Sequence, residues 1–87
     1  MKDSEEGKLI GRISHYFDKI GVAVIDLDSP LKKGDTIRIE GGESTDFTQT
    51  VESMEVEHQK IEKAKKGDSV GLKVKEKVRE GYKVYKL

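Results

Sequence analysis

The residues of this sequence with chemical potential are His15 and His58, the serines Ser4, Ser14, Ser29, Ser44, Ser53 and Ser69, and lysines gathered in two runs. A lone imidazole makes neither a metal site nor a catalytic base, and neither histidine has a second ligand at metal spacing. The serines lack a nucleophile-bearing turn, and no carboxylate pair stands out from a uniformly acidic background. No Gly-x-x-x-x-Gly-Lys-Ser/Thr loop is present to cradle nucleotide phosphates. The expectation is a protein that is not an enzyme and takes no nucleotide, metal or other cofactor. The lysines are a different matter. Lys60, Lys63, Lys65 and Lys66 form one run, and Lys73, Lys75 and Lys77 occupy alternate positions of one expected strand whose inward phase is Val70, Leu72, Val74 and Val78. A lysine stripe on that outer face suits a phosphate backbone. The plainer alternative is a solvated face balanced by Glu76. Aromatic residues that could stack on bases are few, namely Tyr16, Phe17, Phe47, Tyr82 and Tyr85, and several of them must serve the core.

The elements that would position these side chains are short strands. Three segments share a pattern in which a charged pair precedes glycine and an alternating run follows: Leu31-Lys32-Lys33-Gly34-Asp35, Ala64-Lys65-Lys66-Gly67-Asp68 and Val78-Arg79-Glu80-Gly81-Tyr82. Glycine supplies the positive φ that a tight turn needs, so one turn type is reused three times. Upstream, residues 9–17 place Leu9, Ile13 and Phe17 in one phase, and residues 20–27 are apolar on both faces, which reads as two strands joined near Asp18 and Lys19. A Gly41-Gly42-Glu43-Ser44-Thr45-Asp46 loop separates Ile39 from Phe47. The count is six or seven short strands, the pattern of a small closed antiparallel barrel. Residues 51–66 pull the other way. Val51, Met54, His58 and Ile61 recur at spacings of three and four, with Gly67 as a C-terminal cap, and periodicity alone predicts a helix there.

The chain has 87 residues, enough for one domain with a small core. Charge balances at 17 Lys+Arg against 17 Asp+Glu, so no global field draws it to nucleic acid or to an anionic membrane, and any electrostatic site must be local. Cysteine is absent, which excludes disulfides and thiolate chemistry and fits a reducing cytoplasm. The longest apolar stretch, residues 20–25, is too short to span a bilayer, and the first residues lack the apolar run of a signal peptide. The expected organisation is a polar tail over residues 1–8 and a single β-barrel domain over 9–87, in the cytoplasm.

The segment Val51-Glu52-Ser53-Met54-Glu55-Val56-Glu57-His58, followed by Ala64 and then Gly67-Asp68-Ser69-Val70-Gly71-Leu72, resembles the second domain of translational GTPases of the elongation factor Tu and elongation factor 1-alpha type. It is also similar to stand-alone translation elongation factor-like proteins and to the carboxy-terminal barrel of collagenase-like peptidases. The elongation factor resemblance implies an all-β barrel of six or seven antiparallel strands, with residues 51–56 a strand and 60–66 an irregular turn in place of the helix. It places Glu55 on the glutamate that lines the pocket for the terminal adenine of aminoacyl-tRNA, and His58 on a histidine of the elongation factor 1-alpha segment. It implies a binding module that contacts tRNA, ribosomal RNA or a translation-related protein near Glu55, His58 and the two lysine runs. The alternative implied by the peptidase barrel is a protein-interaction subunit, or an accessory barrel acting with a separate enzyme.

Overall fold

The computed structural model describes residues 7–87. The expected tail over 1–8 therefore lies, apart from its last two residues, outside the described residues. Lys8 already belongs to the first strand. Ten strands follow in order: β1 Lys8–Phe17, β2 Val22–Leu27, β3 Leu31–Lys32, β4 Thr36–Gly41, β5 Thr45–Thr50, β6 Met54–Val56, β7 Gln59–Ile61, β8 Lys63–Ala64, β9 Ser69–Lys73 and β10 Lys83–Lys86. Among the described residues there is no helix.

Alternation builds these strands, and one core receives their inward residues. Ala23, Ile25 and Leu27 of β2, Ile37 and Ile39 of β4, Val70 and Leu72 of β9 and Val84 of β10 are all buried, joined by Ile10, Ile13, Phe47, Val51, Met54 and Val78. At about 1.5–3 kcal/mol per buried aliphatic side chain, this cluster is the main source of stability. β1 departs from the expected phase. Its register shifts between Leu9 and Gly11 and again between Ile13 and His15, so Ile10 and Ile13 point inward while Leu9 and Phe17 are exposed. A bulge adds a residue to one strand and reverses the faces beyond it, which simple alternation cannot anticipate.

The three repeated turns are the same device in three places. In each, the fourth residue donates its N–H to the carbonyl of the first: Asp35 to Lys32 (3.1 Å), Asp68 to Lys65 (3.0 Å) and Tyr82 to Arg79 (3.3 Å). The third residue is glycine at φ 97°, 95° and 93°, the mark of a type II turn. Each turn then grips one buried residue of another segment. The N–H of Gly34 reaches the carbonyl of Val51 and the carbonyl of Asp35 accepts from Val51. Gly67 and Asp68 hold Leu27 in the same way, and Gly81 and Tyr82 hold Ile13. In the first two, the aspartate carboxylate also accepts the N–H of the first turn residue, at 3.0 Å in both. Tyr82 has no such oxygen in reach. Its ring instead packs over Gly41 and Gly42, where any β-carbon would collide with it.

Three expectations need correction. Residues 51–66 do not form the helix that periodicity alone predicts. In place of the irregular turn that the resemblance implies over 60–66 there are strands at Gln59–Ile61 and Lys63–Ala64, while Met54–Val56 is a strand within the implied 51–56. Glu57 and His58 both take positive φ, 53° and 69°, and form a two-residue turn between β6 and β7, with Val56 opposite Gln59. The apolar residues that mimic a helical period, Met54 and Ile61, are cross-strand partners. The closed barrel of six or seven strands is also not formed. The main sheet has eight antiparallel strands in the order β5-β4-β10-β1-β2-β9-β6-β7, with β5 and β7 as its edges among the described residues, and β3 pairs with β8 in a separate ribbon. The strand after the second Gly-Asp turn stops at Lys73, pairs with β6 only at Gly71, and leaves a seam facing β5.

Candidate functional site

The structure distributes the expected site residues over separate places. Glu55 and Lys60 face each other across the β6–β7 hairpin, and His58 sits at its tip, all three exposed. An exposed pair of opposite charges on neighbouring strands contributes only a few tenths of a kcal/mol to about 1 kcal/mol. Lys63 belongs to the β3–β8 ribbon and Lys65 and Lys66 to the turn after it. Lys32 lies directly opposite Lys63, and the N–H of Lys33 donates to the carbonyl of Glu62 at 2.8 Å. The basic neighbourhood of that ribbon thus includes Lys32 and Lys33, which sequence spacing alone does not connect to Lys63.

The lysine stripe on a single strand does not exist. Lys73 ends β9, and Lys75 and Lys77 follow in irregular backbone. The inward phase holds nonetheless, since Val70, Leu72, Val74 and Val78 are all buried. His15 contacts Glu80, Nδ1 to Oε2 at 3.4 Å with both side chains more than half exposed, and its ring meets that of Phe17 edge-on at 4.4 Å. Among the described residues no group of three or more His, Asp or Glu side chains is placed to hold a metal ion. No helix among them is long and apolar enough to cross a membrane.

The seam itself forms a groove of about 700 Å³ between β5 and the end of β9. Its walls carry Thr36, Thr48 and Thr50 on one side and Leu72, Lys73, Val74 and Lys75 on the other, with Glu52 and Ser53 at one end. Gln49 spans it. Its side-chain amide Nε2 donates to the carbonyl of Lys73 at 2.7 Å, and its Oε1 accepts the N–H of Lys75 at 2.9 Å. A peptide-like carboxamide thus satisfies the two backbone groups that a neighbouring strand would otherwise satisfy. Elsewhere on the sheet, Arg38 holds Asp46 by two hydrogen bonds, Nε to Oδ1 and Nη2 to Oδ2, both 2.8 Å. These bonds, and the charge behind them, hold the Asp46 carboxyl below its ordinary value of 3.8.

No family model matches the chain. Comparison with known proteins finds 45% identity over 78 residues, or 90% of this chain, to an uncharacterized protease of Methanocaldococcus jannaschii. It finds 40% identity over 79 residues to a collagenase of Porphyromonas gingivalis. The chain spans only about a fifth of these relatives, 19% and 22% of their lengths. Among solved structures, the C-terminal domain of a Geobacillus thermoleovorans protein classed as a U32 peptidase superposes with TM-scores of 0.85 and 0.84 in two crystal structures, at 22% and 24% identity and over 98% of that domain.

These findings overturn the elongation factor assignment and the translation-linked RNA-binding function that it implied. The reason is physical. Part of that resemblance, Gly67-Asp68 and the alternating strand after it, is what a type II turn feeding a strand favours in many small β-domains, and Val51–His58 forms a short strand and hairpin turn of equally local origin. What stands is an all-β antiparallel fold shared with the C-terminal domain of the Geobacillus peptidase, in a chain whose sequence relatives are named protease and collagenase.

Proposed function

We propose that this chain is a non-catalytic accessory β-domain that works with a peptidase of the protease and collagenase type found among its relatives. The observation that carries this is the 45% identity confined to 19% of the Methanocaldococcus protease, a match of one domain-sized segment within a much longer protein. The remaining length of the relative offers ample room for a separate catalytic unit. The groove and the charged ribbon are the surfaces through which such a domain would act. The cytoplasm is the proposed compartment, supported by the cysteine-free composition.

The experiment is affinity purification of the tagged chain from its native host after nuclease treatment, followed by reconstitution of any stoichiometric partner from pure components and assay on gelatin and casein. The expected result is a peptidase partner, with no hydrolysis by the chain alone and altered cleavage when the two are combined. Hydrolysis by the pure chain, or a stoichiometric partner with no peptidase activity, would overturn the proposal.

A further inference from the structure

The seam between β5 and β9 has the attributes of a place where a third strand fits. β5 pairs with β4 on one side only, so its outer edge from Thr45 to Thr50 has no strand partner among the described residues. Across the groove, β9 pairs with β2 along its whole length but with β6 only through Gly71, so the chain from Leu72 onward turns a second unpaired edge to the groove. Unpaired edges are templates for another chain, and proteins ordinarily blunt them. Here the side chain of Gln49 lies across the edge at residues 73–75, which also carries Lys73 and Lys75. Because the Gln49 side chain lies between the two backbones and bonds to the far one, they stand further apart than the roughly 4.8 Å of directly paired strands.

The lining bears on what would enter. Thr36, Thr48, Thr50, Ser53 and Gln49 give the groove hydroxyl and amide groups among a surface that is more apolar than polar. Leu72 and Val74, which also line it, are almost wholly buried and offer little side-chain surface to select a particular residue. Recognition would fall on the visiting backbone, which suits many sequences in turn better than one permanent partner, whose interface would be more hydrophobic. Lys73 and Lys75 against Glu52 give the walls an excess of positive charge, which favours a segment bearing carboxylates.

We propose that the seam is a strand-addition site for an extended, acidic stretch of substrate polypeptide, which pairs with the backbone at residues 73–75 and displaces the Gln49 carboxamide. This rests on the peptidase reading for the identity of the polypeptide as substrate, while the geometry of the seam carries the strand addition itself. Gln49 then acts as a latch that keeps the edge satisfied when the groove is empty. Its release costs two neutral hydrogen bonds, which the incoming backbone replaces in kind.

The test is titration of the ¹⁵N-labelled chain with an acetylated, amidated octapeptide of alternating threonine and glutamate carrying one central valine. Two control peptides accompany it, one N-methylated at every residue and one with lysine in place of glutamate. The expected result is saturable shifts at millimolar peptide in the Gln49 side-chain amide and the backbone amides of residues 73–75. The N-methylated peptide, unable to donate along either edge, should not bind, and the lysine peptide should bind more weakly. Gln49→Ala removes the competing latch and should tighten binding about tenfold, the equivalent of roughly 1.4 kcal/mol. Equal binding of the N-methylated peptide, no shifts at millimolar peptide, or a folded Gln49→Ala chain that binds no tighter would each overturn the proposal. If Gln49→Ala does not fold, the wild-type titrations decide. Failure here alongside a reconstituted peptidase partner would remove the strand-addition site and leave the accessory role standing. Success without any peptidase partner would do the reverse.

Discussion

Replacing Gly34, Gly67 and Gly81 by alanine, one at a time, isolates the backbone cost of the repeated turn. Their φ values of 97°, 95° and 93° are nearly equal, and a β-carbon built at each meets nothing within 4 Å. No packing contribution enters, so the cost is that of holding an L-residue in the left-handed region, about 1–2 kcal/mol. Alanine also stiffens the unfolded chain, which returns roughly 0.4–1 kcal/mol. The net expectation is about 1 kcal/mol lost per site, a fall in Tm of roughly 4–8 °C for a domain of this size. The turns grip different residues, Val51, Leu27 and Ile13, so the triple variant should lose about 3 kcal/mol by addition. Gly71→Ala is the control. Its φ is not in the positive region and its β-carbon would meet Val22 Cγ1 at an ordinary 3.5 Å, so alanine there should be neutral or gain up to about 1 kcal/mol. Urea denaturation followed by far-ultraviolet circular dichroism measures each difference, with unchanged m-values showing that the native and unfolded states keep their compactness. Neutral Gly34→Ala and Gly67→Ala variants, or a difference between them above about 1 kcal/mol, would refute the claim that the turns are one device.

Two further outcomes are expected. Glu57→Asn combined with His58→Gly replaces two strained residues at φ 53° and 69° by the pair that a two-residue hairpin turn prefers, and should raise stability by about 1 kcal/mol in the same urea assay. Asp46 has its carboxyl pKa depressed by the hydrogen bonds from Arg38, so its contribution is present above the ordinary value of 3.8 and is lost as pH falls through the lowered folded-state value. Comparing the melting midpoints of wild type and Asp46→Asn across pH should show a gap at neutral pH that closes in acid below pH 3.8, and a gap independent of pH would sink this account.

The sequence by itself was enough for the all-β class, the first hairpin and the three Gly turns, because those depend on neighbours within a few residues. Glycine at the third turn position and alternating apolar residues after it are local requirements, met wherever such a turn feeds a strand. The inward phase of Val70, Leu72, Val74 and Val78 was legible for the same reason. Tertiary structure alone decided the rest. The bulges in β1 arise from pairing with β2 and β10, and no signal inside residues 8–17 marks them apart from Gly11, whose missing β-carbon admits the carbonyl of Asp26. Residues 51–66 carry a helical spacing that a sheet partner overrode, since Met54 and Ile61 bury their side chains by facing each other across a hairpin. Gln49 was invisible as a site residue, because its meaning depends on Lys73 and Lys75, more than twenty residues away and across a seam that exists only once β5 and β9 become edges. Short-range chemistry wrote the turns into the sequence, and the long-range pairing of strands determined which edges were left open and where a partner could enter.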